Sequence, residues 1–182
     1  MQKLLANICR SKLYWSLVFL FALSLELIAL YYQYELGYGP CILCVEVRAI
    51  VFAIMLIALS GIVLGRVKWV TNLTNIALSA SGVFLYLKAK LLVSIERNEI
   101  ESACGFKANF PQWLPLDTWL PSMFEPWEAC GYTPMMMFDN TMGELLVYCA
   151  MFIFSLGVLG LIVHLLFGKH LQARSLFNGS TL

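Results

Sequence analysis

The chain has 182 residues, of which 60% are hydrophobic and only 13% charged, and its formal net charge is +1. A soluble domain carries about 25% charged residues, so this composition excludes an ordinary soluble fold and points to a lipid bilayer. The near-zero net charge argues against nucleic acid as a partner. A membrane-crossing helix needs roughly 20 mostly apolar residues, and four segments meet this, at about 13–32, 42–64, 70–93 and 144–167. They predict an all-α membrane protein, a bundle of four transmembrane helices forming one integral membrane domain over residues 1–182, with a long loop at about 94–143 between helices three and four.

In chain order, the first segment follows Lys3, Arg10 and Lys12. Its apolar run is longer than the core of a signal peptide. It ends in Tyr31-Tyr32-Gln33-Tyr34 rather than in a small-residue cleavage site, so it is expected to be a retained helix. At 1.5 Å per residue, its acid Glu26 lies roughly 10 Å below the outer end of the helix. A short turn then leads to Pro40, a residue suited to a helix start, and to Cys41-Ile42-Leu43-Cys44, which opens the second helix. Arg48 stands four residues after Cys44, on the same helix face, and roughly 8 Å deep.

The third segment is the least apolar. Thr71, Asn72, Thr74 and Asn75 lie near its start, Lys88 and Lys90 near its end. Its run Ser79-Ala80-Ser81-Gly82 is small enough to permit close helix packing. Lys88 and Lys90 lie roughly 5–8 Å below the outer end, a depth shared by Glu46. These charges are expected to form a polar belt in the outer leaflet, in which Glu26 pairs with Arg48. In the long loop, Phe110–Phe124 carries Trp113, Trp119 and several aliphatic residues broken by prolines 111, 115 and 121. Such a segment suits the membrane surface. Met135-Met136-Met137 is expected to anchor there too. The fourth helix holds Cys149, expected to be a small buried apolar residue, and near its inner end His164, expected to be interfacial.

Orientation follows from the basic residues. Residues 1–12, 65–69 and 168–182 hold Lys3, Arg10, Lys12, Arg66, Lys68, Lys169 and Arg174 and no acid. Residues 33–41 and 94–143 hold Arg97 and Lys107 against Glu35, Glu96, Glu99, Glu101, Asp117, Glu125, Glu128 and Asp139. Both termini are therefore expected to be cytoplasmic, with the first turn and the long loop outside.

Six cysteines occur, at 9, 41, 44, 104, 130 and 149. Cys41, Cys44, Cys104 and Cys130 fall on the outward side, which in a bacterial inner membrane is oxidising. Four cysteines allow three pairings, and local spacing favours Cys41–Cys44 with Cys104–Cys130. A four-thiolate zinc site would want two close pairs, and only one is present. Two structural disulfides are the stronger alternative. A ring closed over two intervening residues staples almost nothing, because stabilisation grows with loop length. The pair is better suited to redox chemistry.

Four helices, an outward Cys-x-x-Cys opening the second, Arg48 just beyond it and a cysteine pair in the second outer loop together resemble the DsbB family of bacterial disulfide-bond formation proteins. Phe110-Pro111-Gln112-Trp113-Leu114-Pro115-Leu116-Asp117-Thr118-Trp119-Leu120-Pro121 is similar to the family's loop. Leu25-Glu26-Leu27 and Tyr32-Gln33 also fit. The resemblance implies a membrane enzyme that reoxidises a soluble DsbA-like oxidase of thioredoxin fold and passes the electrons to the membrane quinone pool, ubiquinone or menaquinone. It implies that Cys104–Cys130 meets the partner's thiol, that Cys41–Cys44 reoxidises that pair, and that Cys44 and Arg48 face the quinone. Glu26, Lys88 and Lys90 are further candidates for the quinone pocket. The chain departs from the family at Glu46-Val47-Arg48, where the acid is displaced by one position. It also departs at Leu91, where a histidine is usual, and after Cys130, where methionines replace an aromatic residue. The reading from another class is a non-enzymatic four-span scaffold with a disulfide-locked outer loop.

Overall fold

The computed structural model describes residues 12–65, 67–100, 110, 114–128, 130–131, 134–136 and 140–178. The four expected long helices are present: α1 Lys12–Tyr34, α2 Ile42–Leu64, α3 Lys68–Glu96 and, after two one-turn helices, α6 Met142–Asn178. The one-turn helices are α4 Leu116–Trp119 and α5 Pro121–Phe124. All four long helices are long and apolar enough to cross a membrane. Among the described residues no strand forms beyond one isolated bridge, Met135 to Thr141. The backbone of α6 continues to Asn178, past the inner edge expected at about 167.

The outer faces of the helices are as apolar as the core. Leu13, Leu17 and Leu20 of α1, Leu73 and Phe84 of α3, and Leu159 and Leu165 of α6 are exposed, as lipid-facing positions must be. The core runs through Trp15, Val18, Ala22, Val51, Ile54, Leu78, Leu85 and Ile153. With lipid on the outside, helix contact depends on close packing rather than on expelling water. That packing is tightest between α3 and α6. A Cβ on Gly82 would fall 2.7 Å from the Phe154 backbone nitrogen, and one on Gly157 would fall 2.5 Å from Ser79 Oγ. The small-residue run of α3 is thus used as its composition suggests.

The polar start of α3 is tolerated because its side chains bond to their own backbone. Thr71 donates to the Gly65 and Val67 carbonyls at 2.9 and 3.2 Å. Thr74 donates to Val70 at 2.9 Å and Asn75 to Thr71 at 2.7 Å. All three side chains are buried, and these local bonds satisfy the two hydroxyl donors and the Asn75 amide N–H. At the opposite end, α6 begins with a capping box. The Glu144 N–H donates to Thr141 Oγ1 at 3.3 Å, and the Thr141 N–H donates to Glu144 Oε2 at 3.2 Å. The same residues fasten α6 to the end of α3: Arg97 pairs with Glu144 at 2.8 Å, and Thr141 donates to Glu96 at 2.8 Å.

The glycine contact carries a test. Gly82→Ala is expected to destabilise the detergent-solubilised protein by about 1–3 kcal/mol, the usual cost of overpacking. The exposed control Ser155→Ala should melt with wild type. A Gly82→Ala protein that also melts with wild type would show that α3 and α6 are not closely apposed.

Candidate active site

The site begins at a helix cap. Cys41 is the N-cap of α2, with extended backbone (φ −80°, ψ 170°), and its sulfur accepts the Cys44 N–H at 3.3 Å. This is the place where a serine or aspartate oxygen usually sits. An N-cap side chain reaches the third helical residue, so a two-residue spacing brings the sulfurs of Cys41 and Cys44 together, 2.7 Å apart. A disulfide needs about 2.05 Å, so only a small movement separates this arrangement from the bonded one. The hydrogen bond with the Cys44 thiol holds the Cys41 thiol below the ordinary thiol range; burial opposes this, and backbone N–H groups of Cys44 and Leu43 add to it. In the dithiol, the Cys44 thiol, with the backbone N–H groups as the smaller contribution, therefore supports a thiolate at Cys41.

The two sulfurs have different surroundings. Cys41 is buried in a cluster with Ile42, Leu43, Leu92, Ile95 and Cys130. Cys130 is disulfide-bonded; Cys104 lies outside the described residues. Cys44 is half-buried at the edge of that cluster and lines a cavity of about 280 Å³. The loop is pinned to the turn before α2: the N–H groups of Trp127 and Glu128 donate to the Pro40 carbonyl at 2.9 and 3.4 Å. Gly39 makes that approach possible, since a Cβ there would fall 2.8 Å from Glu128 Cγ.

The cavity is walled by α1, the turn before α2, α2 itself, the 134–136 segment and α6. Its walls are nearly all apolar, among them Leu25, Val47, Val51, Pro134, Met136 and Leu146. The polar side chains on it are Glu26, Tyr32, Tyr38, Cys44, Arg48 and Cys149.

Arg48 is only 6% exposed. Its guanidinium donates to the Ala29 carbonyl at 3.0 Å, to the Met123 carbonyl at 3.1 Å and to Gln33 Oε1. Gln33 Nε2 and the Tyr34 hydroxyl both donate to the Ser122 carbonyl, at 3.2 and 2.6 Å. Arg48 thus binds the C-terminal part of α1 to α5. Beside it, Phe124 is buried against Val45 with Ala49, Phe110, Leu116 and Met123 around it.

The expected ion pair between Glu26 and Arg48 is not formed. The arginine fork is filled by the Ala29 and Met123 carbonyls and the Gln33 amide instead. Glu26, 5% exposed, attracts Arg48 electrostatically, but its Oε1 accepts no hydrogen bond. Lys88 pairs with Glu46 at 2.7 Å and Lys90 is exposed. Neither lines the cavity, because equal depth places residues in one layer without turning them to one side. His164 is buried and lies off the cavity too. Cys149, expected only as core filler, lines the cavity, as does Met136 from the methionine run; Met137 lies outside the described residues. Contact alone reveals these two positions. The Ala29 and Met123 carbonyls carry no sequence signal at all. Gln33 stood out only through the family resemblance.

The family model described as disulfide bond formation protein DsbB matches residues 11–163 of this chain. A disulfide bond formation protein B from Shewanella frigidimarina is 36% identical over 142 residues, covering 77% of this chain and 83% of that protein. One from Aeromonas hydrophila is 34% identical over 149 residues, covering 81% and 86%. A third, from Shewanella loihica, is 32% identical over 144 residues, covering 79% and 84%.

Arg48→Lys tests the docking role. A lysine ammonium cannot fork to acceptors on α1 and α5 at once. We expect a stability loss of about 2–3 kcal/mol, the scale of a lost hydrogen bond to a charged group, and faster proteolysis within residues 114–128. Unchanged melting and unchanged cleavage would show that Arg48 does not hold the loop.

Proposed function

The chain belongs to the DsbB family of disulfide bond formation proteins, and on that premise we propose that it is a quinone-dependent protein-dithiol oxidase of the bacterial inner membrane. Family membership makes it an oxidoreductase of disulfide formation, and its four apolar helices make it a multi-pass membrane protein. The proposal adds the direction of electron flow, the partner and the acceptor. It forms a single integral membrane domain with both termini in the cytoplasm and the redox cysteines at the periplasmic face, as the distribution of lysine and arginine supports.

One observation carries the reading: neighbouring sulfurs of a single helix cap face two different environments. Cys41 packs with Cys130, a residue of the outer loop, while Cys44 opens onto an apolar cavity. Electrons entering through loop thiols can therefore leave through the cavity. In the proposed sequence, a reduced DsbA-like partner attacks the Cys104–Cys130 disulfide at Cys104. The released Cys130 thiolate attacks Cys41 of the Cys41–Cys44 disulfide, and Cys44 leaves as a thiolate. Each exchange is a thiolate displacement on a disulfide sulfur. The partner's second thiol then completes its own disulfide by displacing Cys104, and exchange within the four cysteines leaves Cys41–Cys44 as the reduced pair.

The cavity suits a quinone ring. It has near the volume of a small-molecule site, apolar walls and a few convergent polar groups, including a buried carboxyl oxygen with no hydrogen-bond partner. A bound quinone supplies a two-electron acceptor. From the first turn of α2 Cys44 would meet the ring, and Arg48 would supply fixed positive charge where negative charge develops. Leu25, Val47, Val51 and Leu146 exclude water.

The test gives purified protein a reduced DsbA-like partner together with ubiquinone or menaquinone and follows quinone reduction. Turnover is expected with at least one quinone. Cys44→Ala should abolish it while leaving the protein folded. No turnover with either quinone, or full turnover in Cys44→Ala, would overturn the proposal; the latter result would point to a scaffold.

A further inference from the structure

Oxidising a dithiol with a quinone moves protons as well as electrons. Two S–H bonds break and one S–S bond forms, while the quinone gains two electrons and two protons and becomes a quinol with two new O–H bonds. The protons must cross an apolar space to reach the ring oxygens, and water is scarce there. We infer that Glu26 is the proton-transfer group of this cavity, giving its proton to a quinone oxygen during reduction and recovering one from the Cys41–Cys44 dithiol. This rests on the quinone reading above and deepens it.

Three observations support the assignment. Glu26 lines the same cavity as Cys44 and Arg48 yet is 95% buried by its 5% exposure. Among the described residues lining that cavity, its Oε1 is the buried side-chain oxygen that meets no hydrogen-bond partner. Leaving a buried oxygen bare costs about 1–3 kcal/mol, and this one belongs to a side chain on the wall of the cavity that Cys44 also lines. And both protonation states have support: apolar walls favour the neutral acid, while the neighbouring guanidinium favours the carboxylate. A proton can therefore leave and return without stranding a charge.

The other titratable and charged groups facing Glu26 around the cavity are Tyr32 of α1, Tyr38 of the turn, Cys44 and Arg48 of α2, and Cys149 of α6. Three N–H groups of the Arg48 guanidinium already go to Ala29, Gln33 and Met123. Tyr38 is exposed at the edge. Cys44 is the electron donor, and the proton taken up when the displaced thiolate becomes a thiol is one of those to be moved. When Glu26 has given up its proton it faces Arg48, so transfer creates an attractive pair rather than an isolated buried charge.

The experiment uses the full chain in detergent with a short-chain ubiquinone and a reduced DsbA-like partner, comparing wild type, Glu26→Gln and Glu26→Asp. Quinone binding, steady-state kcat across the acid-to-neutral pH range and the rate of disulfide exchange with the partner are read separately. Loss of a positioned acid typically costs about 100-fold or more. Glu26→Gln should therefore lose about 100-fold in kcat and flatten the pH profile, with quinone binding and partner exchange near wild type. Glu26→Asp should restore a measurable part of kcat with a shifted profile. An unchanged kcat and pH profile in Glu26→Gln overturns the inference. So does a fall in kcat matched by an equal fall in quinone binding, which marks a merely structural role. If Glu26→Gln does not fold, Glu26→Asp decides, and an unshifted profile overturns the inference. Absence of turnover in wild type is a different failure, since it removes the quinone reading itself.

Discussion

A guanidinium buried in an apolar bundle must be satisfied by protein, because lipid offers it nothing. Arg48 meets that demand by drawing in acceptors from two places. One is the C-terminal part of α1, through Ala29 and Gln33, and the other is the Met123 carbonyl of α5. The cost of leaving the charge bare thereby holds the amphipathic loop to the bundle. With α5 docked, Phe124 fills the space over Val45, and the next residues reach the turn before α2. The cavity beneath shares Arg48 as part of its wall. A single buried charge thus links loop position, helix spacing and site electrostatics.

How much of this could be read from the sequence depended on what kind of group was involved. The four helices follow from hydropathy and length. The closeness of Cys41 and Cys44 follows from their spacing at a helix start. The position of Arg48 along α2, one turn beyond Cys44, was also legible, because rise per residue is fixed. Its partners were not. Depth alone pairs it with Glu26, whereas the real acceptors are mostly main-chain carbonyls, which every residue has. The same limit explains Lys88, which matched the layer correctly but turned toward Glu46. Depth is a one-dimensional quantity, and azimuth depends on packing. Cys149 and Met136 reach the cavity for reasons of packing alone.

The cap at Cys41 shows how a modest local rule can organise chemistry. An N-cap side chain normally satisfies a free N–H and does nothing more. Here the capping atom is sulfur, and the residue whose N–H it accepts carries the second sulfur. The hydrogen bond that starts the helix therefore also sets the geometry of the pair. Because Cys41 ends the turn and Cys44 begins the helix, the two sulfurs belong to different neighbourhoods despite their contact.

The Pro40 carbonyl, with N–H groups from Trp127 and Glu128 on it, sits immediately before Cys41. Cys130 follows Glu128 by two positions. The approach of the outer-loop cysteine to the helix cysteine is thus a matter of tether length, measured from a main-chain knot that no substitution of the knotted side chains removes directly. An added residue would let out about 3.3 Å of slack, comparable with the distances over which sulfur exchange proceeds. Along this stretch, spacing is the property under constraint.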